Sequence, residues 1–211
     1  MTNLFQTFFS RQLAKPSGVF GRFFVARWLD RANVGMNALT LDCLALGEND
    51  QLLDVGFGSG YLLEQVLAGR LCDYVAGVDV SPDMVRHVGR RLRRYVWVGK
   101  ADIRHGDIES LPFVDGVFTA LCSVNTLYFW RDPARALVEC RRVLRPGGRL
   151  VLCFNSRQDL EQWPGHVHGF RLYERSEVES LLAAAGFSGI ATRTGHDREQ
   201  GEFYCVSGIA A

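Results

Sequence analysis

Leu52-Leu53-Asp54-Val55-Gly56-Phe57-Gly58-Ser59-Gly60-Tyr61 decides the fold. A short apolar run closes on an acidic residue and is followed by three glycines on alternate positions, the pattern of a strand that stops in a tight turn. Glycine has no Cβ, so it admits φ > 0 and lets backbone N–H groups lie against a bound molecule. Side chains at 56, 58 and 60 would block that approach. A glycine turn alone is compatible with several ligands, and the spacing narrows them. In the dinucleotide fingerprint G-x-G-x-x-G the third glycine would fall on Tyr61, one residue past Gly60. A P-loop is excluded more firmly, since no G-K-[ST] follows and no lysine stands near the turn.

Outward from this turn, short apolar runs alternate with longer helix-like stretches, which predicts an α/β fold with a parallel sheet. Residues 51–55 form the first expected strand and 59–68 its helix, with Leu62, Leu63, Val66 and Leu67 at helical spacing. A second strand, 74–78, ends at Asp79. Ser81-Pro82-Asp83 then opens a helix, with serine at the N-cap, proline at the first helical position and aspartate at the positive end of the dipole. Further strands are expected at 100–104, at 117–124, apolar enough to be central, and at 149–154. The helix from Asp132-Pro133 to Leu144 is closed by Pro146-Gly147-Gly148, and that of 176–185 by Gly186, with Ser176 and Glu179 as its capping box. Two last strands, 187–193 and 202–209, make a hairpin across a charged loop at 195–201. Residues 1–47 are expected as an N-terminal helical lid and 48–211 as the core of one structural domain.

Composition bounds the function. The apolar fraction of 47%, charged fraction of 22% and formal charge of +1 are those of an ordinary globular chain and give no reason to expect nucleic acid as a partner. Cys43, Cys72, Cys122, Cys140, Cys153 and Cys205 are scattered without a C-x-x-C pair, so they are expected as reduced core residues of a cytoplasmic protein and no metal is expected. No run approaches the ~18 apolar residues of a membrane helix, and residues 1–10 lack the basic start and small-residue cleavage site of a signal peptide.

Asp79 stands about twenty residues after the last glycine, where a carboxylate can accept from both hydroxyls of a ribose. No Lys or Arg near the turn awaits a pyrophosphate. A nucleoside with a zwitterionic tail therefore fits better than a dinucleotide: glycine N–H groups receive its carboxylate, and Asp54 supports its ammonium through water or backbone.

Taken in order, Asp54-Val55-Gly56-Phe57-Gly58-Ser59-Gly60, Asp79, Gly106-Asp107 and Arg145-Pro146-Gly147-Gly148 resemble the motifs of the class I S-adenosylmethionine-dependent methyltransferases, over about residues 50 to 155. The resemblance is to the small-molecule, quinone-biosynthesis-like group. It implies a Rossmann-like seven-stranded sheet in the order 3-2-1-4-5-7-6 with strand 7 antiparallel, helices on both faces, and S-adenosylmethionine as cofactor. Carried over by position, it implies that Gly56, Gly58 and Gly60 line the methionine part, supported by Asp54, that Asp79 binds the ribose and that Met84 lies beside the adenine. Asp107 and Ile108 would take the adenine amine and ring, and Ser123 and Val124 would contact the methionine moiety or methyl donor. Phe57 and Ser59 depart from the commoner pattern of Cys and Thr. The Asn-Pro-Pro-Tyr motif of enzymes that methylate nucleic-acid amino groups is absent; Val124-Asn125-Thr126-Leu127-Tyr128 stands in its place.

The acceptor side is less defined. Asn125, Tyr128 and Trp130 follow the fourth strand at the carboxyl edge, where α/β sheets bind ligands, and are candidates for substrate contact. His166, His168 and Tyr173 are candidates for a general base, which is needed only if the acceptor must lose a proton. Phe5, Phe8, Phe9, Phe20, Phe23, Phe24 and Trp28 mix with Arg11, Lys15, Arg22, Arg27 and Arg31, consistent with a lid over an apolar or aromatic small-molecule acceptor or, less favoured, with contact to a membrane surface. The arginines at 86, 90, 91, 93 and 94 are taken as a solvated helix face. Two other functions are compatible with the turn: a non-catalytic S-adenosylmethionine-binding or scaffold protein, and a nicotinamide-dependent oxidoreductase.

Overall fold

The structure is a computed structural model that describes residues 33–162, 164–167, 171–197 and 201–211. In chain order its elements are α1 (Val34–Leu44), β1 (Gln51–Val55), α2 (Tyr61–Gly69), β2 (Tyr74–Asp79), α3 (Pro82–Arg91), α4 (Arg93–Trp97), β3 (Ala101–His105), β4 (Phe118–Val124), α5 (Pro133–Val143), β5 (Leu144–Asn155), α6 (Arg157–Gln162), α7 (Arg175–Ala184), β6 (Phe187–Asp197) and β7 (Gly201–Ala210). Short 3-10 turns occupy Leu127–Phe129 and Pro164–Val167. The strands form one sheet in the order β3-β2-β1-β4-β5-β7-β6. All pairings are parallel except those of β7, which runs antiparallel to β5 and β6. This is the order that the motif resemblance implies.

Side chains alternate across the pleat, so each strand feeds two cores. Leu53, Val55, Ala76, Val78, Leu121, Leu150 and Leu152 meet Ala136, Leu137, Cys140 and Val143 of α5 and Val178 and Leu182 of α7. Leu52, Val75, Ala120, Cys122, Val151 and Cys153 meet α1 through Met36 and Leu44, α2 through Leu62, Leu63, Val66 and Leu67, and α3 through Met84 and Val88. Covering on both faces buries β1 and β4 along nearly their whole length. α1, from the stretch expected as lid, packs on β4, β5, β6 and β7. The aromatics and cations expected between Phe5 and Arg31 lie outside the described residues.

Several boundaries differ from the sequence-based expectation. Gly60 is left-handed at φ 76°, so α2 starts at Tyr61 rather than at 59. The helix before β5 ends at Val143, and the backbone rejoins β4 at Leu144 before Pro146-Gly147-Gly148. Those three residues kink a longer strand, with Gly147 at φ 80°, instead of closing the helix. The capping box of α7 is built by Glu174 and Glu177, not Ser176 and Glu179; the Glu174 N–H donates to Glu177 Oε2 at 2.7 Å. Glu179 instead accepts from Thr192 Oγ1 at 2.6 Å. The last hairpin is tighter than expected: Asp197 pairs with Gly201, and His196 Nε2 lies 3.6 Å from Glu202 Oε2 across the strands.

One feature at the amino edge fixes the central strands. Asp50 accepts from the Gly47 N–H (2.8 Å), from Thr119 Oγ1 (2.5 Å) and from Arg149 Nη2 (2.6 Å), while Thr119 Oγ1 accepts from the Gln51 N–H (2.9 Å). Residues before β1, on β4 and on β5 are thereby tied together; burial raises the Asp50 carboxyl, but the Thr119 hydroxyl, then the Gly47 N–H and the Arg149 guanidinium, hold it below its usual range.

Candidate functional site

The carboxyl ends of β1, β2 and β4 converge on the glycine turn, and each of its glycines answers a different demand. Gly56 has φ 77° and its N–H donates to Val78 O at 2.7 Å; a Cβ there would overlap Thr126 Cγ2. At Gly60, φ 76°, a Cβ would come within 2.7 Å of Val88 Cγ1, so this glycine lets α3 pack against the turn. Gly58 has φ 52°, and a Cβ added there meets none of the described residues within 4 Å. The middle of the turn is thus bare backbone facing open space, a cradle of the kind that accepts a ligand.

Asp79 supports the cradle from β2. Its Oδ2 accepts from the Gly58 N–H at 2.9 Å and its Oδ1 from the Ser81 N–H at 2.8 Å. One carboxylate therefore joins the middle of the turn to the start of α3, where Ser81 Oγ accepts from the Met84 N–H at 3.4 Å. Asp54 lies directly beneath, 3% exposed. Burial, then the charge of Asp79, push its carboxyl up to about 7, opposed by a hydrogen bond with the Cys122 thiol. The departure at Phe57 has a packing reason: its ring lies under Gly77 of β2, where a Cβ would come within 2.7 Å of Phe57 Cδ1. Phe57 and Gly77 are a matched pair, which no single motif position reveals. Ser59 is buried, its Oγ accepts from the Tyr61 N–H at 3.3 Å, and its carbonyl accepts from Arg91 Nη1 at 3.3 Å.

The third acidic position stands one strand further out. The Gly106 N–H donates to Asp79 O at 3.1 Å, which sets the Asp107 loop beside the end of β2. Asp107 Oδ1 accepts from the Glu109 N–H at 3.0 Å and its Oδ2 faces Arg131 Nη2 at 3.1 Å. Ile108 is buried in the core. Glu109, unmarked in the sequence, holds this loop to the one before α5: its Oε1 accepts from the N–H groups of Arg131 (3.1 Å) and Asp132 (3.0 Å).

Other expected positions are placed differently from one another. Met84 is fully buried beneath α3. Ser123 is buried, and its Oγ donates to Val55 O at 2.7 Å and pairs with Thr126 Oγ1. Val124 is partly buried. Asn125, at the end of β4, has a left-handed φ of 58°; its Nδ2 donates to Asn33 Oδ1 at 2.7 Å and its Oδ1 accepts from the Tyr128 hydroxyl at 2.9 Å. That hydroxyl also accepts from the Asn155 N–H at 2.5 Å, and burial raises its pKa far above the usual range, which keeps it protonated. Trp130 is buried with its Nε1 on Thr126 Oγ1 at 3.1 Å. Asn33, Asn125, Tyr128 and Asn155 thus join α1, β4, the turn after it and β5 into one polar network. Only spatial neighbours reveal it, since 92 positions separate Asn33 from Asn125.

The segment between β5 and α7 is tied at both feet. At the first, Asp159 Oδ2 pairs with Ser156 Oγ (2.6 Å) and accepts from the Glu202 N–H (2.8 Å). At the second, Arg157 Nη2 donates to Leu172 O (3.1 Å) and the Arg171 N–H to Tyr128 O (3.1 Å). His166 lies in this segment, in the 3-10 turn, partly buried. Tyr173 is buried in the core with its ring beside the Arg171 guanidinium at 5.1 Å, and burial pushes its hydroxyl up. His168 lies outside the described residues. Among the described residues no group of three or more His, Cys, Asp or Glu is placed to hold a metal ion, and no helix is long and apolar enough to cross a membrane.

Comparison with known proteins places this edge in context. A family described as "Methyltransferase domain" matches residues 53–152, the span from the glycine turn to β5. The chain is 29% identical over 126 residues to the "Uncharacterized methyltransferase YdaC" of Bacillus subtilis, covering 60% of this chain and 67% of the relative. It is 30% identical over 166 residues to a "Probable S-adenosylmethionine-dependent methyltransferase" of Mycolicibacterium smegmatis, covering 76% of this chain and 59% of the relative. Against such curated relatives the chain spans from 33% to 67% of their length. The crystal structure of a SAM-dependent methyltransferase from Aquifex aeolicus superposes with a TM-score of 0.70 at 20% identity, over 89% of this chain and 97% of that one, a likeness of fold.

Proposed function

We propose that the chain is an S-adenosylmethionine-dependent methyltransferase that transfers the methyl group of S-adenosylmethionine to a small-molecule acceptor, releases S-adenosylhomocysteine, and works in the cytoplasm. The observation that carries this is the bare backbone at Gly58 joined to the Asp79 carboxylate. An adenosyl group with an amino-acid tail needs both: a wall of backbone free of side chains for its methionine part, and an acid one strand away for its ribose. Gly56, Gly58 and Gly60 would form the wall against the methionine part, with Asp54 beneath it. Asp79 would take the ribose, Asp107 and Ile108 the adenine with Met84 behind, and Ser123 and Val124 the side nearest the methyl donor.

When bound, the cofactor supplies an electrophilic methyl on a positively charged sulfur that is already a good leaving group. What remains for the chain is to bind, orient and exclude water, because an in-line displacement gains most from holding the acceptor at near-attack distance. The buried, protonated Tyr128 and its asparagine partners give the β4 and β5 ends of the site a fixed shape. Asn125, with its carbonyl and amide engaged at the strand end, and the 157–173 segment that carries His166, His168 and Tyr173, would border the acceptor. Nothing in the composition or in the absent Asn-Pro-Pro-Tyr motif favours nucleic acid as that acceptor.

Titration calorimetry with S-adenosylhomocysteine tests the cofactor site. Asp79→Ala is expected to weaken binding by about 1 to 3 kcal/mol, since a carboxylate bonded to two hydroxyls is lost. Unchanged affinity would move the ribose elsewhere. A product assay over a varied acceptor panel tests the transfer: binding without turnover on any acceptor favours a scaffold, and NAD binding with no affinity for S-adenosylhomocysteine would overturn the proposal.

A further inference from the structure

At the opposite edge of the sheet from the glycine turn, the connection from α3 through α4 into β3 presents an apolar tip. Trp97 is 88% exposed, and Val96 and Val98 beside it are exposed as well. Trp97 closes α4 just before β3 begins, so it lies at the amino end of the parallel strands while the turn lies at their carboxyl end. The core makes no use of these side chains. α3 buries Met84 and Val88, Leu92 is buried at the joint, and α4 buries nothing.

Cations collar the tip. Arg86 is paired with Asp83, Arg91 with Glu64, and Lys100 with Asp73 at 3.5 Å. Arg90, Arg93 and Arg94 are exposed and have no carboxylate partner among the described residues. Arg94 reaches the Tyr95 hydroxyl at 2.7 Å and lies 4.6 Å from the centre of that ring. In a chain whose formal charge is +1, this is a local positive excess set beside an exposed tryptophan.

We propose that this tip docks the protein on an anionic lipid surface, with Trp97, Val96 and Val98 entering the headgroup boundary and Arg90, Arg93 and Arg94 meeting lipid phosphates. Indole at the interface and arginine at the phosphates is the division of labour such surfaces favour. Area argues against a protein partner: three side chains fall well short of the ~800 Å² per partner of a specific protein interface, whereas a bilayer requires only an apolar tip and compensating charge. Docked in this way, the glycine turn faces away from the lipid, and an acceptor enters from the aqueous side.

The test uses the full-length chain and sucrose-loaded vesicles, either phosphatidylcholine alone or equal parts phosphatidylcholine and phosphatidylglycerol. Sedimentation with the anionic vesicles only is expected. The triple change Arg90→Gln, Arg93→Gln, Arg94→Gln should lower partitioning by ~100-fold, roughly fivefold for each charge removed, and Trp97→Ser by ~10-fold; both should keep the affinity for S-adenosylhomocysteine. Brominated lipid should quench the wild-type fluorescence more than that of Trp97→Phe, which reads contact without depending on the other variants. No sedimentation, sedimentation that survives both variants, or capture of the wild type by polyglutamate or a single-stranded oligonucleotide but not by vesicles would overturn the proposal.

Discussion

The two halves of the carboxyl edge are built on different principles. On the β1, β2 and β3 side the polar groups are backbone N–H donors and carboxylates, and the side chains withdraw: Gly58 faces open space while Asp79 holds its N–H from behind. On the β4 and β5 side the polar groups are amides and a phenol that satisfy each other across long stretches of chain, from Asn33 to Asn125 and from Tyr128 to Asn155. The first half is a surface made by omission, the second a network made by mutual pairing. A ligand common to a whole family suits the first, because backbone is present whatever the side chains do. A ligand that differs among relatives suits the second, where each substitution changes the wall.

The contrast can be broken at specific residues. The largest expected effect is on Asp54. Its folded carboxyl is raised to about 7 from the ordinary carboxylate value of 3.8, so the folded protein holds a proton that the unfolded chain releases. Stability from this group is fully present below the unfolded value and is lost as pH rises from ~4 to ~7, in all on the order of 4 kcal/mol. Chemical denaturation of the free protein at pH 5 and pH 8 should show that slope, and Asp54→Asn should flatten it; an unchanged slope in the variant removes Asp54 as its source.

Next is Gly56→Ala, where left-handed strain and overlap with Thr126 together should cost about 3 kcal/mol. A melting temperature equal to wild type would mean that the turn is looser than its geometry. Tyr128→Phe tests the other half. It strips a partner from the Asn155 N–H and from Asn125 Oδ1 and should cost ~2 kcal/mol with the cofactor affinity retained; loss of cofactor binding instead would mean that the two halves are not separable. The smallest effect on stability is at Gly58. With no neighbour to strike, Gly58→Ala should cost only about 1 kcal/mol of left-handed strain, yet lower the affinity for S-adenosylhomocysteine by more than tenfold in calorimetry. Equal losses of stability and affinity would take the ligand away from this wall.

The same contrast explains what the sequence discloses. The glycine turn, the strand end at Asp79 and the Ser81 cap are legible because each rests on neighbours in sequence: a turn needs its own glycines, a cap its own serine. The sheet order follows only from the resemblance of the motifs. The match between Phe57 and Gly77 is not legible, since a ring and the residue it displaces lie on different strands. Nor is Glu109, whose Oε1 gathers two N–H groups from a loop 22 and 23 positions away. Tyr128 and Trp130 were chosen for their place after β4, and that place is as described; that both turn inward depends on Asn155 and Thr126, which carry no local mark. The capping box of α7 is built by Glu174 and Glu177 because the helix begins at Arg175, which puts Ser176 inside its first turn; Ser176 and Glu179 merely repeat the spacing two residues on.

The 157–173 segment carries a consequence for how this scaffold diversifies. Its first foot is Asp159, bound to Ser156 and to the start of β7, and its second is the pair of bonds at Arg171 and Leu172. With both feet fastened to neighbouring strands and turns, the stretch between them is a cassette. Its length and composition can be exchanged as a unit, in a laboratory chimera or over evolutionary time, while the end of the sheet that carries the glycine turn keeps its shape.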